Sequence, residues 1–249
     1  MKIDQLKLAQ MVARTARKYR TGAIILAAGN STRMGGKINK QLEPVCNIPV
    51  LAHTLMAYQR CKLIEEIVVV TRPQDFDAVF EIAKQYGISK LRHIAAGGST
   101  RQESAKRGMD KLSPEIRYVA IADGARCLIT PQQIAKVCLR AYRYQAASAA
   151  HQISDTVKRT NAVGMVKETV DRNNLWQAQT PQIFHASLYT AALIRAEDDN
   201  FKVTDDNSLI EHLGYQVRMV ECGRENIKIT TKEDLPMAEA ILAYRSANK

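Results

Sequence analysis

After the apolar run GAIIL, residues Ala27 to Leu42 read AAGNSTRMGGKINKQL, which gathers Arg33, Lys37 and Lys40 among glycines and hydroxyls with no acidic residue. In an open α/β sheet, ligands collect at the carboxyl ends of strands. There the backbone at Gly29 can turn sharply and approach a ligand closely, because glycine has no Cβ. Backbone N–H groups and three cations at a strand end suit a polyphosphate; a solvated surface loop with incidental charge is the alternative. Two familiar phosphate loops do not fit. A P-loop ends in Gly-Lys-Ser/Thr, whereas Lys37 precedes Ile38, and a dinucleotide fingerprint needs glycine where Ser31 stands.

Three other stretches offer chemistry. AAGGSTRQES places Gly97 and Gly98 where something flat or bulky fits, with Ser104 in the first turn of the next helix; a plain Gly-Gly turn reads equally well. YVAIADGAR ends an apolar run on Asp123, a carboxylate suited to Mg²⁺ bound to phosphates or to a simple pair with Arg126. ENIKITTKEDL carries Lys228 inside a β-like run, a position that is either solvent-facing or functional. The five histidines lack metal-ligand spacing, and the single Trp176 reads as a packing residue.

These positions need a scaffold of strand ends. From Thr21 onward, β-branched apolar runs alternate with helical patterns, which predicts successive strand-helix units and a mostly parallel sheet. The predicted strands are GAIILAA, EIVVVT, LRHIAA, YVAIAD and QVRMVE; the predicted helices cover 50–60, 75–86, 101–112, 131–142 and 233–245. Thr100 with Glu103 and Thr130 with Gln133 have capping-box spacing, Pro131 suits a first helical position, and Gly87 and Gly214 suit helix C-termini. The segment 153–184 breaks the alternation, with strand-like pieces around polar turns, as a hairpin excursion would. Residues 1–20 read as an amphipathic basic helix added to the domain.

Composition narrows the partners. A chain of 249 residues with 46% hydrophobic residues can bury one substantial core. Its net charge of +11 favours an anionic partner, but the cations are spread along the chain and no run interleaves them with aromatics, so no nucleic acid is expected. No apolar stretch approaches the ~20 residues that span a bilayer, so no membrane is expected. Five scattered cysteines without a Cys-x-x-Cys pair predict a reducing, cytoplasmic setting.

Taken in order, LAAGNSTRMGGKINKQ, AAGGSTRQESAKRGM, ADGAR, SDTVK, VDRNNLWQAQTPQIF, VTDDNSLIEHLG and ENIKITTKEDL resemble the 2-C-methyl-D-erythritol 4-phosphate cytidylyltransferase family of the non-mevalonate isoprenoid pathway, from about Thr21 to Lys249. The resemblance implies a Rossmann-like, mostly parallel sheet flanked by helices, of nucleotide-diphospho-sugar transferase type, with a protruding β-arm at about 153–175. It divides the chain into an extension, 1–20, and a single domain, 21–249. It also implies transfer of CMP from CTP to 2-C-methyl-D-erythritol 4-phosphate with Mg²⁺ as cofactor. Arg33, Lys40 and Lys228 match catalytic positions. Ala28 and Gly29 belong to the triphosphate loop, and Gly97, Gly98 and Ser104 match positions that recognise cytosine and ribose. Asp123 matches the aspartate near the metal, with Arg126 beside it. Thr156, Arg172 and Thr180 match residues that bind the second substrate, Thr156 and Arg172 across a homodimer interface formed by the arm.

The chain departs from that pattern in two places. Asn39 stands where a proline is usual, which predicts a less rigid loop, and ADGARC replaces HDAARP. Alternatives within and outside the class are a cytidylyltransferase acting on ribitol 5-phosphate or another polyol phosphate, a homologue that binds CTP without turnover, and a basic nucleic-acid-binding protein.

Overall fold

Strands of mostly β-branched and small apolar residues form the floor of the computed structural model, which describes residues 19–29 and 39–247. The predicted N-terminal helix as far as residue 18, Arg33 and Lys37 lie outside the described residues. In chain order the elements are β1 (Thr21–Leu26), the short pair β2 (Pro44–Val45) and β3 (Ile48–Pro49), α1 (Val50–Arg60), β4 (Ile64–Thr71), α2 (Phe76–Gln85), β5 (Leu91–Ala96), α3 (Arg101–Met109), β6 (Tyr118–Asp123) and α4 (Pro131–Tyr144). There follow β7 (Ala146–Gln152), β8 (Val157–Thr160), β9 (Val166–Val170), β10 (Trp176–His185), α5 (Ala186–Asp198), α6 (Asn207–His212), β11 (Arg218–Glu221) and α7 (Asp234–Ala247).

The large sheet has the order β11-β7-β10-β6-β1-β4-β5. β1 pairs parallel with β4 and β6, β4 with β5, and β11 with β7, while β10 runs antiparallel between β6 and β7. Helices cover both faces, as a sheet buried on both sides requires. On one face Leu55 and Tyr58 of α1, Val79 of α2 and Val137 of α4 pack against Ile25 and Val69. On the other, Ala105 of α3, Tyr189 of α5 and Leu209 of α6 pack against Ile24 and Val70. A smaller cluster joins Val45, Leu128 and Ile229 beneath α7.

β7 escaped the sequence reading, and β10, which falls in the segment read as strand-like pieces of an excursion, belongs instead to the main sheet. β7 is AASAAHQ, without β-branched residues, and it is a strand because five of its seven positions are buried between two neighbours. β10 carries Pro181, which cannot donate to a ladder; its pairing with β7 lapses between Ala178 and Gln182, where the proline falls. Helix α3 ends at Met109, short of the predicted Leu112. β8 and β9 pair antiparallel with each other in a sheet of their own, within the irregular segment.

Helix ends follow their local chemistry. Thr130 and Gln133 form a reciprocal capping box at α4, with Pro131 at its first turn. At α3 the Thr100 hydroxyl accepts the Glu103 N–H, but the Glu103 carboxylate turns instead to Ser99, accepting from its N–H at 2.7 Å and its hydroxyl at 2.8 Å. Gly87 and Gly214 follow α2 and α6 with φ of +63° and +85°, a conformation that favours glycine.

Candidate active site

The register of the parallel strands brings three strand ends together. Leu26 lies opposite both Val70 and Asp123, and Thr71 opposite Ala96, so the residues that follow β1, β5 and β6 open on one side of the sheet. A cleft of about 390 Å³ lies there, lined by Ala28 and Gly29, Lys40 and Gln41, Gly98 to Arg101, Ser104, Asp123 and Lys228, among others. The structure thus brings Ala28, Gly29, Lys40, Gly98, Ser104, Asp123 and Lys228 of the predicted set into one space.

Asp123 is its electrostatic centre. Lys228 Nζ lies 3.0 Å from Oδ2, Arg126 Nε 3.5 Å from the same oxygen, and Arg101 Nη2 3.8 Å from Oδ1. Burial alone would raise the Asp123 pKa, but Lys228, Arg101 and Arg126 together outweigh it and hold the carboxyl below its ordinary value. From below, the Asp123 N–H donates to Thr180 Oγ1 at 3.0 Å. Arg126 also donates to the Asn226 carbonyl at 2.6 Å, and burial lowers its pKa against the raising effect of Asp123. Of the two partners that its sequence context allowed, Asp123 meets Arg126, and it gains Lys228, whose side chain is 41% exposed and reaches water and the carboxylate at once.

Arg101 escaped the sequence reading. It is the first residue of α3, and its guanidinium forms an ion pair with Asp206, whose side chain is 1% exposed. Asp206 also accepts from Tyr189 OH at 2.6 Å and donates its N–H to Gln182 Oε1 at 2.8 Å. Burial acts to lower the Arg101 pKa, but the charges of Asp206 and Asp123 override it and raise it. A signal was available: AAGGSTRQES places an arginine at N1 beside the cleft, and VTDDNSL supplies a tandem acidic pair just before a helix start downstream of it.

The glycines shape the wall. A side chain at Gly97 would overlap Ala28 Cβ, and one at Gly98 would overlap the Glu103 side chain. Ser104 Oγ accepts from the Gly98 N–H at 3.0 Å and donates to the Thr100 carbonyl at 2.9 Å, which fixes the turn. At Gly124, a Cβ would stand 2.8 Å from Gln41 Oε1, so the glycine of ADGARC leaves room for that amide.

Of the other expected residues, Gly97, Arg126 and Thr180 adjoin the cleft without lining it. Thr156 and Arg172 lie elsewhere, exposed just before β8 and just after β9, and Arg172 donates to the Ser154 carbonyl. The expectation of a looser chain at Asn39 is also corrected. That residue is buried, and its side chain makes hydrogen bonds to Asp75, Ala27 and Gln41.

Fold and cleft define a class: an α/β protein of mostly parallel sheet with a cation-rich cleft at the carboxyl ends of its strands. The family profile described as IspD, 2-C-methyl-D-erythritol 4-phosphate cytidylyltransferase, matches residues 21–244. A protein of that name from Synechococcus sp. WH7803 is 43% identical over 222 residues, covering 89% of this chain and 99% of the relative. One from Alkaliphilus metalliredigens is 40% identical over 223 residues, covering 89% and 92%. The crystal structure of 4-diphosphocytidyl-2C-methyl-D-erythritol synthase from Anaerococcus prevotii superposes with a TM-score of 0.82 at 31% identity, covering 92% of this chain and 99% of that one. The chain belongs to the 2-C-methyl-D-erythritol 4-phosphate cytidylyltransferase family.

Proposed function

We propose that this protein transfers CMP from CTP to 2-C-methyl-D-erythritol 4-phosphate, releasing pyrophosphate, and that it does so in the cleft around Asp123. The observation that carries the reading is the Asp123 carboxylate at the end of β6 with three cations within 4 Å, beside a loop lysine in the same cleft. The family membership supplies the substrates.

The phosphate oxygen of the polyol attacks the α-phosphorus of CTP, a P–O bond forms, and the bond to the bridging oxygen of the β-phosphate breaks with pyrophosphate leaving. The attacking phosphate is already an anion near neutral pH, so no protein nucleophile is needed. The work is to bring two anions together and to stabilise the charge that gathers at the α-phosphorus. Lys40 and Lys228 do this. Lys228 is paired with Asp123 and exchanges part of that pairing for the phosphate. Arg33 grips the β and γ phosphates, a task that suits the fork of a guanidinium. Ala28 and Gly29 bring backbone N–H groups to the triphosphate. The bare edge of Gly97 and Gly98, held by Ser104, takes the cytosine and ribose.

Arg126, Thr156 and Arg172 bind the polyol phosphate. Thr180 serves it indirectly, because its hydroxyl is buried and spent on the Asp123 backbone. Since Thr156 and Arg172 are exposed outside their own chain's cleft, they serve that of a partner in a homodimer joined through the β8–β9 arm. A sedimentation run that found only monomer at micromolar concentration would remove that arrangement.

Among the described residues no three acidic, histidine or cysteine side chains converge on a metal position. A Mg²⁺ ion fits nonetheless, because that ion is commonly held by one or two carboxylates with substrate phosphates supplying further oxygens. Asp123 is the carboxylate that would hold it, and the bound ion would add positive charge to the phosphates. No helix among the described residues is long and apolar enough to cross a membrane, and the free cysteines suit a cytoplasmic protein.

The test is pyrophosphate release from CTP and Mg²⁺ with methylerythritol 4-phosphate against ribitol 5-phosphate. Turnover with the first is expected. Preference for the second changes the substrate, and CTP binding without release in either case ends the assignment.

A further inference from the structure

The return of the glycine-lysine loop is tied down by groups that the proposed chemistry does not use. Asn39, directly before Lys40, is 2% exposed and has both ends of its amide engaged. Nδ2 donates to Asp75 Oδ2 at 2.9 Å and to the Ala27 carbonyl at 3.4 Å, and Oδ1 accepts from the Gln41 N–H at 3.1 Å. Asp75 is held in turn by Arg72, through Nε at 2.6 Å and Nη2 at 3.1 Å, in a fork that is itself mostly buried.

The geometry has two consequences. The Ala27 carbonyl stands where the loop departs and Asn39 where it returns, so one amide joins both ends of the loop to the segment after β4. Second, Lys40 follows Asn39 directly and lines the cleft, whereas Asn39, Asp75 and Arg72 do not. The Asn39 carbonyl also accepts the Leu42 N–H at 2.8 Å, closing a turn around Lys40. A proline here would hold the chain by ring rigidity alone; the asparagine holds it by side-chain bonds to a buried ion pair. Burying a carboxylate is costly unless it is paired, and the Arg72 fork supplies the pairing.

We infer that Asn39, Asp75 and Arg72 are positioning residues that set Lys40 in the cleft, an assignment that rests on the role given to Lys40 above. A group displaced by ~1 Å from its working place can lose ~10²-fold in rate. Asn39→Asp is nearly isosteric but sets a carboxylate against Asp75.

The experiment measures kcat and the KM for each substrate in wild type, Lys40→Ala, Asn39→Asp and the two combined, with the melting temperature of each. Asn39→Asp is expected to lower kcat by ~10- to 100-fold. It adds little to the loss already caused by Lys40→Ala, because it acts through that lysine. Adding Asp75→Asn to Asn39→Asp restores a donor facing an acceptor but takes one acceptor from the Arg72 fork, and it recovers part of the rate. Near-normal activity in Lys40→Ala overturns the reading of Lys40 itself. A deep loss there with Asn39→Asp within about twofold of wild type overturns the positioning role alone. So does an Asn39→Asp loss that persists in full on the Lys40→Ala background. If Asn39→Asp does not fold, Arg72→Gln, which loosens Asp75 from one step further out, is read by the same criteria.

Discussion

Replacing Arg101 by alanine separates the two jobs of the cleft floor. Its guanidinium bridges Asp206, almost wholly buried, and Asp123 at 3.8 Å. Without it, Asp206 keeps the Tyr189 hydroxyl on Oδ1 but loses the partner on Oδ2. Breaking a buried ion pair by removing one member costs roughly 3–5 kcal/mol, because the other charge stays behind without compensation. Arg101 itself is 27% exposed, so water relieves part of the loss and the low end, about 3 kcal/mol, applies. At roughly 2–4 °C per kcal/mol for a domain of this size, the melting temperature falls by about 6–12 °C. Asp123 retains Lys228 and Arg126, so turnover well below the new melting point falls by only about tenfold. Differential scanning calorimetry of Arg101→Ala, Asp206→Leu and the pair provides the assay. The double variant replaces the ion pair by apolar groups but leaves the buried Tyr189 hydroxyl without its acceptor, so it is expected to regain only part of the stability lost in Arg101→Ala. A fall below about 2 °C in Arg101→Ala, or strictly additive losses in the pair, would refute the reasoning.

Other consequences are cheaper to examine. Lys228→Ala should lower kcat by ~10²- to 10³-fold, the usual cost of one lost transition-state donor; a rate near wild type in pyrophosphate release would sink its role. The Glu103 carboxyl, held down to about 2 by hydrogen bonds from Ser99 and then by Arg107, should titrate upward toward its ordinary 4.5 in Ser99→Ala. Because its folded value lies below the ordinary one, the ionised form supports α3 above pH 4.5, and that support fades as pH falls towards 2. An unchanged NMR midpoint in Ser99→Ala would count against the hydroxyl bond, the one that the substitution removes while the backbone N–H stays. Burial pushes the thiols of Cys127 and Cys222 up to about 12 and about 11 and raises those of Cys61 and Cys138, whereas Cys46 is exposed. Iodoacetamide near pH 8 should therefore label native protein at Cys46 well before the other four; mass spectrometry showing early modification of Cys127 would contradict the buried ADGARC turn.

What the sequence made legible was local and periodic. β1, β4 and β6 could be read because both faces are buried and each is a run of β-branched or small apolar residues, and the strand ends then located Ala28, Gly98 and Asp123. β7 was hidden because burial between neighbours, not composition, makes it a strand, and β10 was read only as part of an excursion because its place between β6 and β7 is a property of the assembled sheet. The same distinction runs through the site. Lys228 has a solvent-facing pattern in one dimension and gains its partner only when the segment after β11 crosses to the end of β6. Arg101 and Asp206 stand 105 residues apart, and nothing local couples them.

Asn39 argues the point most sharply. Read locally, an asparagine in place of proline removes a constraint on φ and loosens a loop. In three dimensions it meets Asp75, 36 residues onward, and the loop regains through an amide and an ion pair the anchoring that a ring would have supplied. A substitution at a phosphate-binding loop is therefore judged by the partners the fold delivers to it. Here those partners come from the end of β4, the strand beside the one from which the loop departs.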